Sequence, residues 1–190
     1  IRAALNMALN TGIAPAEVMR ELKEGLGEIG DKYEKGEYFL SELVISGEIA
    51  KSALDVLEPH LGESEQKLGK VVIGTVEGDI HDIGKNIVSM ILLSSGYEVY
   101  DLGVDVESPR FVTEIKETDA DVLGLSALLT STMMNMKTVI LDLKKAGLRT
   151  NVKVIVGGAA LSERFAKAVG ADAYVHDAPE VLKTIDSLKE

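Results

Sequence analysis

Asp79 and His81 stand two residues apart in the stretch Gly78-Asp79-Ile80-His81-Asp82-Ile83-Gly84. A carboxylate that accepts the proton of one imidazole nitrogen leaves the other as a lone-pair donor of raised basicity, the arrangement that backs metal-ligating histidines. A solvated loop histidine is the plainer reading for an isolated residue; a carboxylate at this spacing, with glycines bracketing the loop, favours a ligand. His60 and His176 share neither helix nor loop with His81, so a zinc or iron site built from several histidines has little support. One histidine offering one lone pair suits a metal already held by a macrocycle. Gly157-Gly158 and the hydroxyls of Ser126, Thr130, Ser131 and Thr132 form two further groups. A glycine pair after an apolar run is most often a turn, but it also lets a bulky ligand lie against backbone amides. Capping of the next helix by Thr132 or Ser131 is the plain alternative for the hydroxyls, and it leaves positions 126 and 130 unexplained. No G-x-G-x-x-G opens the first helix after a strand and no P-loop is present, so a nucleotide fingerprint is lacking.

The elements that must position these groups follow from periodicity. Val71, Val72, Ile73 and Val76 form a β-branched run of the kind buried in parallel sheets. Strands are predicted at 71–76, 98–101, 122–125, 153–156 and 173–175, alternating with helices at 84–94, 109–118, 132–146, 162–169 and 179–188. Five β-α units imply a parallel sheet covered on both faces, with every strand ending on one side. The Asp79–His81 loop, the hydroxyl-rich stretch 126–132, Gly157-Gly158-Ala159 and His176-Asp177 then all meet at the carboxyl edge, where such sheets bind ligands. Residues 1–61 carry helical spacing instead. Pro15 fits a first turn, followed by Val18, Met19, Leu22, Leu26, Ile29 and Tyr33, with Gly25, Gly27 and Gly30 as weak points where a backbone or flat ligand could approach. A second helical stretch spans 38–57 and stops at Pro59, giving a small bundle of three or four helices. The polar, glycine-punctuated stretch 62–69 reads as a linker, dividing the chain into 1–65 and 66–190.

Composition narrows the class. The 190 residues are 46% hydrophobic, enough for a substantial core, and no cysteine is present, which excludes disulfides and thiolate chemistry. With 31 acidic against 20 basic residues the net charge is −11, which argues against a nucleic-acid or anionic-membrane partner. Neither a membrane-length apolar run nor a signal peptide is seen, and a cytoplasmic protein is expected. The sequence starts at Ile1 rather than Met, which suits a trimmed chain preceded by a native segment.

Taken together, Asp79-x-His81-x-x-Gly84, Ser126-x-Leu128 and Gly157-Gly158 resemble the D-x-H-x-x-G, S-x-L and G-G signature of cobalamin-binding domains. GDIHDIGKNIV, DLGVDV at 101–106 and LSALLTSTM at 125–133 are similar to the corrinoid proteins of methyltransferase systems, and to a module of cobalamin-dependent methionine synthase. Tyr33, Gly36 and Tyr38-Phe39-Leu40 are similar to the helical cap of those proteins, so the likeness covers nearly the whole chain. It implies a helical cap over 1–65 followed by a Rossmann-like (flavodoxin-like) five-stranded parallel sheet over 66–190, with helices on both faces. It implies that His81 replaces the cofactor's own dimethylbenzimidazole as lower axial ligand of cobalt, in the base-off, His-on form. Asp79 would hydrogen-bond His81, and Thr132, a serine in methionine synthase, would extend the relay. Ile80, Asp82, Ile83 and Gly84 would border the corrinoid beside them. Ser126, Leu128 and Thr130 would line a slot for the displaced nucleotide tail, which Gly157, Gly158 and Ala159 would let pass into the sheet. Phe39 would cover the upper corrin face.

The implied function is that of a methyl carrier rather than a stand-alone catalyst. A donor-specific methyltransferase would load a methyl group onto cobalt, and a second would pass it to a thiol or tetrahydrofolate. The cap would swing aside for each partner, and a reductive activator is a further partner left open. Methanol, methylamines, betaines and aryl methyl ethers all remain open as donors. Three rivals stand beside this reading: the cobalamin subunit of an adenosylcobalamin mutase, a cobalamin-sensing regulatory domain, and a doubly wound domain with no cofactor.

Overall fold

The computed structural model describes residues 1–57, 60 and 68–189. Three helices come first: α1 (Arg2–Asn10), α2 (Pro15–Glu34) and α3 (Leu40–Leu57). Pro15 takes the first position of α2, where a missing N–H breaks no helical bond. No described backbone makes a close approach at Gly25, Gly27 and Gly30. α2 runs through them unbroken, and no described atom beyond the helix's own backbone comes within 4 Å of where their Cβ atoms would stand. The expected stop at Pro59 and most of the linker 62–69, with the division at 65/66, lie outside the described residues.

The β-α alternation follows: β1 (Lys70–Thr75), α4 (Ile83–Ser94), β2 (Glu98–Asp101), α5 (Ser108–Thr118), β3 (Val122–Ser126), α6 (Asn135–Lys145), β4 (Lys153–Gly157), α7 (Glu163–Val169), β5 (Ala173–Val175) and α8 (Val181–Lys189). All strand pairs are parallel, in the order β2-β1-β3-β4-β5. That is the flavodoxin-like order, in which the crevice for a ligand opens at the carboxyl edge between β1 and β3, where the strand order reverses. Elements match the sequence expectation closely except α6, which starts at Asn135 rather than 132. Residues 130–134 form turns, and no side chain caps α6.

Alternation along the strands sorts the core into two layers. Val72, Val76, Leu123, Leu125, Val154 and Val156 pack with Phe111 and Ile115 of α5, Met136, Ile140 and Leu143 of α6, and Ala166 and Val169 of α7. Val71, Val122, Ile155 and Val175 face the other way, toward Leu92 of α4 and Val181 and Ile185 of α8. α4 has a second duty, because α3 and α2 pack on it from the helical region. Its near-continuous apolar run (Ile87, Val88, Met90, Ile91, Leu92, Leu93) is what a helix covered on both sides requires.

Candidate functional site

The loop leaving β1 is pinned on every side. Gly78 turns with φ +79°, in the left-handed region, and a Cβ there would meet the Thr132 methyl at 3.3 Å. The Asp79 amide donates to the Val76 carbonyl (3.1 Å), the Thr75 hydroxyl to the His81 carbonyl (3.0 Å), and the Asn135 side-chain amide to the Glu77 carbonyl (2.8 Å).

Asp79 is completely buried. Its Oδ1 accepts the His81 amide (3.1 Å) and lies 2.7 Å from His81 Nδ1; its Oδ2 accepts the amides of Leu128 (2.8 Å) and Leu129 (3.1 Å) and the Thr132 hydroxyl (2.7 Å). Burial by itself raises this carboxyl, but hydrogen bonds from Thr132, from the His81 ring and amide, and from Leu129 outweigh it and hold the group far below the usual carboxylate range. An ionised Asp79 only accepts, so His81 Nδ1 is the donor of this bond, and in the neutral ring the lone pair is then on Nε2. The Thr132 proton is shared with the Leu129 carbonyl at 3.0 Å. Thr132 therefore bonds Asp79 instead of capping α6, which corrects the capping alternative.

His81 is about half exposed, at 46% of its side chain, and stands at the mouth of a cavity of about 660 Å³. The cavity runs down between the sheet and helices α4 and α8. It exists because side chains on that face shrink toward the carboxyl edge: Val122 gives way to Gly124 and Ser126 on β3, and Ile155 to Gly157 on β4. Ile80, His81, Asp82, Ile83, Gly84, Ser126, Leu128, Gly157, Gly158 and Ala159 all line it. Asp79 and Thr132 sit behind His81. Thr130 is exposed and absent from the lining, and Phe39, 75% exposed at the start of α3, is absent too. Tyr33 of α2 lines the cavity instead.

Gly158 has φ +136°, and a Cβ there would stand 1.9 Å from the Ala127 carbonyl oxygen, so the β3 and β4 loops approach only over a bare backbone. Gly157 has room, its nearest neighbour being the Val175 carbonyl at 3.4 Å. Sequence reasoning missed Tyr33, Gly124 and Lys85 on the lining. Lys85, its side chain only 2% exposed, pairs with Asp101 and bonds Asn86, tying α4 to the end of β2. The signal for Lys85 lay in Lys85-Asn86 and DLGVDV, matched segments to which the sequence reading assigns no roles; Tyr33 was visible as part of the match to the helical cap.

Among the described residues no group of three or more His, Cys, Asp or Glu could hold a metal ion. His81 is a single donor beside a deep, mainly apolar slot, and this set suits a metal held chiefly by its own macrocycle, with an appended tail in the slot. Residues 69–186 match the family of the B12 binding domain, and residues 1–58 match a second B12 binding domain. Dimethylamine corrinoid protein 3 of Methanosarcina acetivorans is 43% identical over 172 residues, which cover 90% of this chain and 81% of that protein. Trimethylamine corrinoid protein 2 of the same organism is 40% identical, with 96% and 86% covered. The crystal structure of the methanol:cobalamin methyltransferase complex from Methanosarcina barkeri contains a chain that superposes with a TM-score of 0.87 at 29% identity, over 97% of this chain and 71% of that one. The monomethylamine corrinoid protein of the same species gives 0.60 at 34% identity, over 97% and 88%. Matched in both its helical and its α/β part, the chain belongs to the B12-binding corrinoid proteins.

Proposed function

We propose that this chain is the methyl carrier of a methylamine methyltransferase system and holds its corrinoid base-off with cobalt on His81. The observation that carries the reading is the 2.7 Å bond between Nδ1 of His81, on the cavity lining, and the buried Asp79 carboxylate, which in the neutral ring leaves Nε2 as the nitrogen available to a metal. When bound, the corrinoid supplies a cobalt that takes up and gives up a methyl group. The chain's own residues bind and orient. Asp79 holds the imidazole in one tautomer, while Thr132, Leu128 and Leu129 keep the carboxylate charged and still. Gly124, Ser126 and Gly157 leave the slot that a nucleotide tail would enter, and Ile80, Ile83 and Leu128 offer exposed apolar side chains at its rim.

The donor class rests on likeness: methylamine corrinoid proteins reach 40–43% identity, the methanol system 29%. The partners of this reading are a methylamine methyltransferase, a second methyltransferase acting on a thiol or tetrahydrofolate, and a reductive activator. The test is the absorption spectrum of wild type and His81→Ala, each reconstituted with methylcobalamin and then mixed with partner and acceptor. Wild type should show the His-on spectrum and lose its methyl group with a methylamine-system partner; His81→Ala should bind without histidine coordination. Identical spectra in the two proteins would remove His81 as ligand. Tight uptake of adenosylcobalamin without demethylation by any partner would move the chain to the mutase or sensor reading.

A further inference from the structure

We propose that Asp105 is the positioning residue of the Asp79–His81 pair, clamping the Gly78–Asp79 backbone from the neighbouring β2–α5 loop. Its carboxylate accepts the Gly78 amide at 2.7 Å, and its own amide donates to the Asp79 carbonyl at 2.9 Å. These two bonds grip the N–H before Asp79 and the C=O after it. With both ends held, the Cα–Cβ bond of Asp79 has one direction to point, toward the amides of Leu128 and Leu129 and the Thr132 hydroxyl. Without the clamp the loop turns on Gly78, an exposed glycine whose backbone is the least restrained in the segment.

The backbone of Asp105 is arranged for this task. Its φ is +54°, a left-handed conformation uncommon outside glycine, asparagine and aspartate. Among the described residues only one other non-glycine, Asp119, has positive φ, and it ends α5, where such a turn is ordinary. Asp105 ends no helix. The left-handed turn lets the amide and the carboxylate of one residue reach the two peptide groups on either side of the Gly78–Asp79 pair. The flanks hold it there: the Val106 amide donates to the Thr75 carbonyl (3.0 Å), Val106 bridges Val76, and the Thr75 amide donates to the Gly103 carbonyl (3.0 Å). Among the described residues Asp105 is absent from the cavity lining and its side chain and amide bond Gly78 and Asp79, so its effect on the site passes through Asp79.

The inference rests on His81 being the ligand, and the experiment separates the two. Asp105→Gly removes the carboxylate and relieves the backbone; Asp105→Asn keeps an acceptor oxygen and tolerates the turn. Imidazole ¹⁵N shifts of cofactor-free protein report the His81 tautomer, and amide hydrogen exchange reports the Gly78 N–H. Wild type and Asp105→Asn should hold His81 in the Nδ1–H tautomer, with Gly78 exchange slowed about tenfold relative to a free peptide. Asp105→Gly should lose that protection and shift the tautomer ratio about fivefold, and its His-on fraction with cobalamin should fall with it. Unchanged tautomer and exchange in Asp105→Gly would overturn the proposal; so would an unprotected Gly78 amide in wild type, a result that needs no variant. Failure of the ligand reading looks different: wild-type cobalamin protein would lack histidine coordination, while the cofactor-free measurements still decide Asp105.

Discussion

At the scale of single residues, the site is a problem in keeping a fully buried carboxylate charged. Desolvation opposes the charge, and five hydrogen bonds from four residues answer it. Three of the five are backbone amides and survive any side-chain substitution. The Thr132 hydroxyl is the replaceable one, which makes it the clean probe. Thr132→Val keeps the shape and removes the donor, and should cost about 1.5–3 kcal/mol of stability, the usual worth of a hydrogen bond to a charged group. Thr132→Ser keeps the hydroxyl and gives up one buried methyl group, and should cost about 0.8 kcal/mol. Urea melts of the cofactor-free proteins measure both. A Val variant as stable as wild type would mean the two amides at Oδ2 suffice. Asp79 and His81 were legible in the sequence because their partnership spans two residues. Thr132 was ambiguous because its partner lies 53 residues away, and helix capping is the local alternative for any threonine before a helix.

At the scale of elements, the slot is made by register. Gly124 pairs with Ile73 on one side and Ile155 on the other, and Ser126 pairs with Thr75 and Gly157. A row of small residues across β3 and β4 thus sits level with the His81 loop. The strands themselves were readable from β-branched runs and alternation, and so was the edge at which their loops meet. The slot was not, because a glycine inside one apolar strand carries no sign of what its neighbours present at the same height. The same limit explains Thr130: membership of a hydroxyl-rich stretch does not say which residues turn inward. The two glycines ending β4 separate function from folding. Gly157→Val has room to fold and should narrow the slot, weakening cobalamin binding at least about tenfold, or about 1.4 kcal/mol. Gly158→Val would collide with the Ala127 backbone and should unfold the β3–β4 edge before any binding is measured. Thermal melts and equilibrium binding of the two variants give the contrast. Wild-type affinity in a folded Gly157→Val protein would show that the tail does not pass Gly157.

At the scale of the whole molecule, the helical region is seated on α4, the helix that follows His81 directly. The seat is made of small residues. Ser46, Gly47, Ala50 and Ala53 are buried along one face of α3, and a Cβ at Gly47 would stand 1.5 Å from Met90 Sδ, with Cγ and Cε of Met90 also within 3 Å. Met90 thus lies across bare α3 backbone and joins the two parts of the chain. The sequence reads 38–57 only as a helical stretch, and nothing in its periodicity or in that of α4 says that the two face each other. Gly47 is a sharp test because local and tertiary effects oppose each other. In an ordinary helix Gly→Ala gains about 0.5–1 kcal/mol. Here Ala must expel the Met90 thioether from the seat, and overpacking of that kind costs about 1–3 kcal/mol. Gly47→Ala alone should therefore destabilise the protein and speed amide exchange in α3 and α4, while β1, β3 and β4 stay protected. In a Met90→Ala background the space is vacant, and the same substitution should stabilise. A reversal of sign between the two backgrounds, read from urea melts as a double-mutant cycle, is the expected result. Additive effects of the same sign would mean that Met90 can swing away freely and that the helical region is held elsewhere along α4.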